Sequence, residues 1–371
     1  MRIGLVIYGS LENLSGGYLY DRKLVAALEA HSDQVKLVSL PWRSYVQHLG
    51  DNRSAHLQAR LQRLDVDLLL QDELNHPSLA WLNSRIKTRV AYPFVSIVHH
   101  LRSSEDHPAW CNQLYTQVED RYLNSVDGFI FNSHTTQQVV ENRLSPENAS
   151  RVRWTVAYPG GDQYSPQITD REISARALEP GPLRLLFVGN VISRKGLHTL
   201  LSALRGIPWN QWELRVAGRL DVDKRYARSI RTIVALEGLV ESVRFLDRLT
   251  PEQLAAQMME CQVLVVPSTY EGFGIAYLEG MGFGMPPIAT TSGAAGEFVS
   301  HHENGILVPP KDKIALANAI RILIQDRNHL AQLSLAARAR YLAHPTWSES
   351  MTSVVHFLHS FAGQPILRAD S

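Results

Sequence analysis

The sequence predicts an α/β protein of two tandem Rossmann-like domains, and three observations carry that prediction. Short apolar runs recur along the 371 residues, each ending in polar residues or glycine. Helix-patterned segments separate most of these runs. The series then falls into six runs followed by six more. Strands that are nearly unbroken in apolar character, alternating with helices, mean parallel sheets covered on both faces. A chain of this length exceeds a typical single core and suits two domains.

In order, the first-half strands are Ile3–Tyr8, Val35–Leu40, Val66–Leu70, Phe94–Val98, Gly128–Phe131 and Val152–Ala157. Those of the second half are Leu183–Val188, Glu213–Ala217, Val243–Leu246, Val263–Val266, Pro287–Ala289 and Ile306–Val308. Between them the 3.6-residue pattern predicts helices over Tyr20–Ala30, Pro77–Ser84, Leu197–Leu204, Pro251–Glu260 and Ile314–Asp326. Thr169–Pro182 is charged, contains Glu-Pro-Gly-Pro and reads as the linker. The expected domains are therefore 1–175 and 176–345, with a helix in 346–371 packing back on the first. Arg53 to Leu64 carries Leu57, Leu61 and Leu64 on one face. This is a helix packed on the sheet, or alternatively an interfacial helix on a membrane.

A net charge of +1 gives no case for a nucleic-acid partner. The two cysteines, Cys111 and Cys261, lie far apart without metal-type spacing, which points to a reducing compartment. Ile3–Tyr8 is too short for a signal peptide's apolar region. No apolar stretch approaches the ~20 residues that span a bilayer. The expectation is a cytoplasmic protein, with peripheral attachment to the inner membrane face left open.

The most informative stretch is Pro267-Ser-Thr-Tyr-Glu271-Gly-Phe-Gly274-Ile-Ala-Tyr-Leu-Glu279. It reads as strand end, tight glycine turn and helix N-terminus, flanked by two acids. Backbone N–H groups and the helix dipole at such a turn attract phosphate. Glu279, in the second helical turn, is placed for hydroxyls beside that phosphate, and Glu271 for another part of the same ligand. Together they describe a nucleotide sugar. In open parallel sheets ligands bind beyond the strands' carboxyl ends. The first-half ends carry Ser15-Gly16-Gly17, Asp72-Glu73, His99-His100, Asn132-Ser133 and Gly160-Gly161-Asp162. The second-half ends carry Gly189-Asn190, Arg194-Lys195, Gly218-Arg219, Asp247-Arg248, Ser268 to Glu271 and Thr290-Thr291. If the two edges face each other, the cleft suits a large polar ligand.

These residues resemble the retaining, nucleotide-sugar-dependent glycosyltransferases of family 4, which have the GT-B fold. The resemblance covers nearly the whole chain and rests on the E-x7-E element, Gly284-Met-Pro-Pro-Ile-Ala-Thr290, Tyr158-Pro-Gly-Gly-Asp162, Arg194-Lys-Gly196 and Asn304-Gly-Ile-Leu-Val308. It implies a donor set of Gly16, Gly17, Asn190, Arg194, Lys195, Leu246, Glu271, Gly272, Phe273, Gly274, Ile275 and Glu279. Lys195 corresponds to the cation on the diphosphate, and Gly16 and Gly17 to a loop closing over it. Glu271 corresponds to the acid facing the donor sugar, and Glu279 to the acid on the ribose. His99 corresponds to the histidine near the reacting sugar, so His99, Glu271 and Lys195 are the implied catalytic set. Asp72, Glu73, His76, His100 and Asn132 form an acceptor-side set.

One departure is visible. The family usually has Arg directly after the strand-ending glycine, where this chain has Asn190, and Arg194 is the nearest substitute. The implied reaction moves a sugar from a UDP- or GDP-sugar to a glycan, lipid or small-molecule hydroxyl, with retention and with neither metal nor cofactor. Alternatives from other classes are a non-catalytic nucleotide-sugar-binding protein, or an epimerase or phosphorylase of the same fold. Asp65-Val-Asp67 and Asp221-Val-Asp223 mimic a D-x-D metal motif. The first lies at the amino end of its strand and the second has no supporting motif.

Overall fold

The computed structural model describes residues 1–13 and 15–361. The chain divides into two compact units, one formed by Met1–Pro159 with the segment from Trp347 on, the other by Gly160–Thr346.

The first unit holds a six-stranded sheet of β1 (Arg2–Tyr8), β2 (Gln34–Leu40), β3 (Leu68–Asp72), β4 (Phe94–Val98), β5 (Gly128–Phe131) and β6 (Arg153–Val156), in the order β2-β1-β3-β4-β5-β6. Every pairing is parallel. The strands β3, β4 and β5 are buried along their whole length, as expected of strands covered on both faces. Strand β3 begins two residues later than its apolar run suggests. Asp67 sits just before it, held by the Arg2 backbone N–H at 2.8 Å, while Asp72 pairs with Ile97 as the last residue of the strand. The helix expected over Pro77–Ser84 is broken into His76–Leu79 and Leu82–Ile86. Helix Ala55–Gln62 buries Leu57 and Leu61 in the core, so its leucine face is not offered to a membrane. Helix Trp347–His359 packs against helix Gly16–Ala30.

The second unit repeats the plan with β7 (Leu183–Val188), β8 (Trp212–Ala217), β9 (Val243–Asp247), β10 (Val263–Val265), β11 (Pro287–Thr290) and β12 (Ile306–Val308), ordered β12-β11-β10-β7-β8-β9. All pairings are again parallel.

The expected linker is not one. Residues Asp170–Leu178 form a helix opened by a reciprocal capping box between Thr169 and Glu172. Arg176 on this helix donates to the carbonyls of Met258 (3.1 Å), Met259 (2.9 Å) and Gly284 (3.2 Å), at the carboxyl ends of two other helices. A cation there satisfies orphan carbonyls and complements the helix dipoles. Gly161 lies against Leu278 and Tyr341, where a Cβ would come within 2.7 Å of Leu278. Residues 160–175, assigned to the first domain on sequence, thus sit in the second unit, and the division falls at Pro159/Gly160. Among the described residues no helix is long and apolar enough to cross a membrane.

Candidate functional site

Each sheet reverses its strand order once, between β10 and β7 in the second unit and between β1 and β3 in the first. Such reversals open a crevice beyond the strands' carboxyl ends.

In the second unit, two loops leave the reversal point side by side. The loop after β7 starts at Gly189, passes Asn190 and ends in the turn Ser193–Lys195. Gly196 follows at φ +73°, where a Cβ would lie 2.1 Å from the Pro267 carbonyl oxygen, so only glycine lets the loops approach. The loop after β10 is tied to the first by the Thr269 N–H, which donates to the Arg194 carbonyl at 2.8 Å.

This brings Lys195 Nζ to 2.7 Å from Glu271 Oε2, and the Ser268 hydroxyl donates to the same oxygen at 3.0 Å. Arg194 Nη1 lies 3.8 Å from it and donates to the Tyr270 carbonyl at 2.8 Å. Burial alone would raise the Glu271 carboxyl, but the charges of Lys195 and Arg194 and its hydrogen bonds outweigh that and hold it down at about 2. Arg194 therefore stands in the same cluster as Lys195.

The turn after Glu271 ends at Gly274, φ +96°, where a Cβ would meet the Tyr277 ring at 2.4 Å. Helix Ile275–Gly282 starts there, with no side-chain cap and no acid in its first turn. That is the geometry of an anion site. Gly272 and Phe273 are buried, and the Phe273 ring stacks on Phe298 at 4.8 Å, anchoring the turn. Ile275 is half-buried at the helix start. Glu279 is buried in the second turn, and burial pushes its carboxyl up to about 8. Leu246 is half-buried on edge strand β9, two strands from β7.

In the first unit, Asp72 ends β3 and caps the following turn by accepting the Leu74 N–H at 2.9 Å. His99 follows β4 and is 9% exposed; Asn132, after β5, donates to its carbonyl at 2.8 Å. Glu73 and His76 pair at 2.9 Å, and the His76 ring meets the Tyr45 hydroxyl at 3.1 Å. His100 contacts Glu105 at 3.0 Å. Gly16 and Gly17 form the first turn of helix Gly16–Ala30, behind the Ser15 cap, rather than a loop. Gly17 leaves room for a ring, since a Cβ there would lie 3.0 Å from His99 Cδ2.

One residue was missed on sequence. Asp21 is fully buried on helix Gly16–Ala30, with its Oδ1 3.4 Å from His99 Nε2. One polar atom each of Asp21, Asp72 and His99 lies within 4.8 Å of the others. The signal was available: Asp21 shares the spacing of Leu24 and Leu28, the buried face of its helix. Both Asp-x-Asp pairs are engaged by arginine. Arg2 bridges Asp65 and Asp67, the latter at 2.9 Å, and Arg219 holds Asp221 at 2.9 Å.

Residues 169–340 match the family profile of the glycosyl transferases group 1. The two six-stranded parallel sheets have the fold of the GT-B glycosyltransferases. The chain is 29% identical over 264 residues to the D-rhamnosyltransferase WbpZ of Pseudomonas aeruginosa, covering 67% of this chain and 66% of that protein. It is 24% identical over 394 residues to the phosphatidyl-myo-inositol mannosyltransferase of Mycobacterium leprae, covering 98% and 97%. In structure it is similar to a sucrose-phosphate synthase of Thermosynechococcus elongatus, with a TM-score of 0.80, 22% identity and 97% and 98% of the two chains covered. The Anabaena protein HepE in complex with UDP and glucose gives a TM-score of 0.74 at 22% identity, over 97% and 100%. Both structural likenesses concern the fold.

Proposed function

We propose that the protein transfers a sugar from a nucleotide diphosphate sugar, UDP- or GDP-linked, to an acceptor hydroxyl, with retention at the anomeric carbon and without a metal. The observation that carries this reading is the pairing of Lys195 with Glu271 at 2.7 Å beside the uncapped helix start at Gly274. A diphosphate at that helix N-terminus meets the Lys195 ammonium, with Arg194 next to it, as its counter-charge. Glu271, released from Lys195, then accepts hydrogen bonds from the donor sugar, and Glu279 from the ribose.

The chemistry follows from the charges. The bond from the anomeric carbon to the diphosphate oxygen breaks, and negative charge grows on the leaving group. Fixed cations and backbone N–H groups aimed at that charge lower the barrier without reorganising. The acceptor oxygen bonds the anomeric carbon from the same face, and its proton passes to the departing phosphate oxygen. Retaining glycosidases instead set two carboxylates about 5 Å apart, one as nucleophile. The proposed route needs no such nucleophile, and Glu271 serves as a hydrogen-bond acceptor. His99 and the acids of the first unit serve the sugar and the acceptor, a glycan, lipid or small molecule.

The test is calorimetric and thermal-shift binding of UDP, GDP, ADP and their sugars with EDTA present. One nucleotide bound without metal, and weakened in Lys195→Ala and Glu279→Ala, is the expected result. No binding to any of them, with Mg²⁺ or Mn²⁺ restored, overturns the reading.

A further inference from the structure

Buried carboxylates normally have hydrogen-bond partners, because an ionised oxygen taken from water without them loses its hydration with nothing in exchange. Asp21 departs from that rule. It is fully buried, and among the described residues neither of its carboxylate oxygens has an aligned hydrogen-bond partner. Its nearest charged contact is His99 Nε2 at 3.4 Å, itself buried and without an aligned hydrogen bond. Asp72, on the other side of the strand-order reversal, keeps one oxygen on the Leu74 N–H, while its second oxygen has none.

We propose that Asp21 is the positioning residue of His99: its carboxylate, facing Nε2, holds the imidazole in place and favours its charged form, so that the ring presents an N–H donor to the sugar or acceptor. Geometry fixes the ring from several directions. Asn132 holds the His99 carbonyl, Tyr20 meets the ring edge-on at 5.3 Å, and Gly17 closes on it from the helix start. Asp21 is one helical turn beyond Gly17, so the same helix supplies both the contact and the counter-charge.

The charged groups facing His99 are Asp21 from the helix, Asp72 from the end of β3 and Glu73 from the turn after it. Burial lowers the imidazole's proton affinity, but Asp21 first, then Asp72 and Glu73, outweigh it and the net shift is upward. Burial, with Asp21 next, pushes the Asp72 carboxyl up to about 8. Of the two aspartates, Asp21 is the one in ion-pair reach of His99 Nε2, at 3.4 Å.

The consequence for catalysis rests on the transfer reading above, but the geometry does not, and the experiment separates them. His99 is titrated by NMR in full-length, histidine-labelled protein without any substrate, its signal assigned with His99→Asn. The expected midpoint lies above that of an ordinary histidine. Asp21→Asn lowers it by about one unit or more, the size of a single lost ion-pair partner. Asp21→Glu keeps the charge and keeps the midpoint raised, which covers the case that Asp21→Asn fails to fold. In transfer assays, Asp21→Asn lowers kcat, leaves the donor KM and nucleotide binding unchanged, and moves the alkaline limb of the kcat profile to lower pH.

An unchanged midpoint in Asp21→Asn, or an ordinary one in Asp21→Glu, overturns the proposal. So does a His99 signal that responds to an added divalent cation and reverts with chelator, since a metal would then bridge the groups. A shifted midpoint with no transfer of any nucleotide sugar supports the pair and sinks the transferase reading.

Discussion

The two clusters differ in how their charge is balanced. In the second unit the Glu271 carboxylate has an ammonium at 2.7 Å, a hydroxyl at 3.0 Å and a guanidinium at 3.8 Å. In the first, among the described residues, Asp21 has no aligned hydrogen bond and Asp72 accepts the Leu74 N–H, with the His99 imidazole as their shared counter-charge. The Glu271 cluster is balanced by its own cations, and its carboxyl is held at about 2. The Asp21–Asp72–His99 cluster is short of positive charge, and the Asp72 carboxyl is driven to about 8. Burial acts in the same direction on both acids. The neighbouring cations decide the outcome. A site whose cation is already paired can exchange that partner for a diphosphate. One that is short of cations holds protons instead.

The largest expected effect comes from breaking the balanced cluster. Lys195→Ala leaves Glu271 with Arg194 as its neighbouring cation and takes the main counter-charge from the leaving group. We expect kcat to fall by about 10²–10³, the typical loss for one preorganised donor to developing charge. Steady-state transfer assays with the donor at saturation check this, and an unchanged kcat would remove Lys195 from the chemistry.

Next in size is a stability effect in the unbalanced cluster. Asp72 has a folded pKa above its unfolded one, so the folded state binds more protons between roughly pH 4 and about 8. Its contribution is thus greatest below pH 4 and declines as pH rises through that window. Asp72→Asn should flatten this decline and gain on the wild type above pH 8. A Tm difference of about 2–4 °C per kcal/mol is the scale to look for in thermal melts across the range. Parallel pH profiles would show that Asp72 ionises normally.

The smallest effect sharpens the comparison from inside the donor site. Glu279 is held at about 8 by burial alone, so it is mostly protonated at pH 7 before a ligand arrives. Ribose hydroxyls donating to it favour the carboxylate, and nucleotide binding at pH 7 should release a fraction of a proton. Calorimetry in buffers of different ionisation enthalpy measures that fraction, and Glu279→Gln should abolish it. Buffer-independent heats in the wild type would mean the ribose does not meet an ionised Glu279.

Much of this was legible beforehand because it is local. Strand positions, the glycine turn at Gly274, the spacing of Glu271 and Glu279, and the placement of Lys195 after β7 all follow from short-range pattern and strand polarity. The helix Asp170–Leu178 was legible too: Thr169 and Glu172 spell a capping box, though proline and glycine nearby suggested a linker. Its membership of the second unit was not, because Arg176 finds its carbonyl partners more than 80 residues away in sequence.

By itself the sequence determined the alternation of strands and helices, their polarity, and thus which residues end up beyond the carboxyl edge of each sheet. Only the tertiary structure decided the electrostatic state of those residues. Asp21, Asp72 and His99 come from a helix, the end of one strand and the loop after another, and Lys195 and Glu271 lie 76 residues apart. The charge a buried group carries depends on desolvation and on neighbours within a few ångströms. Strand order sets those neighbours, and no local stretch of sequence contains it.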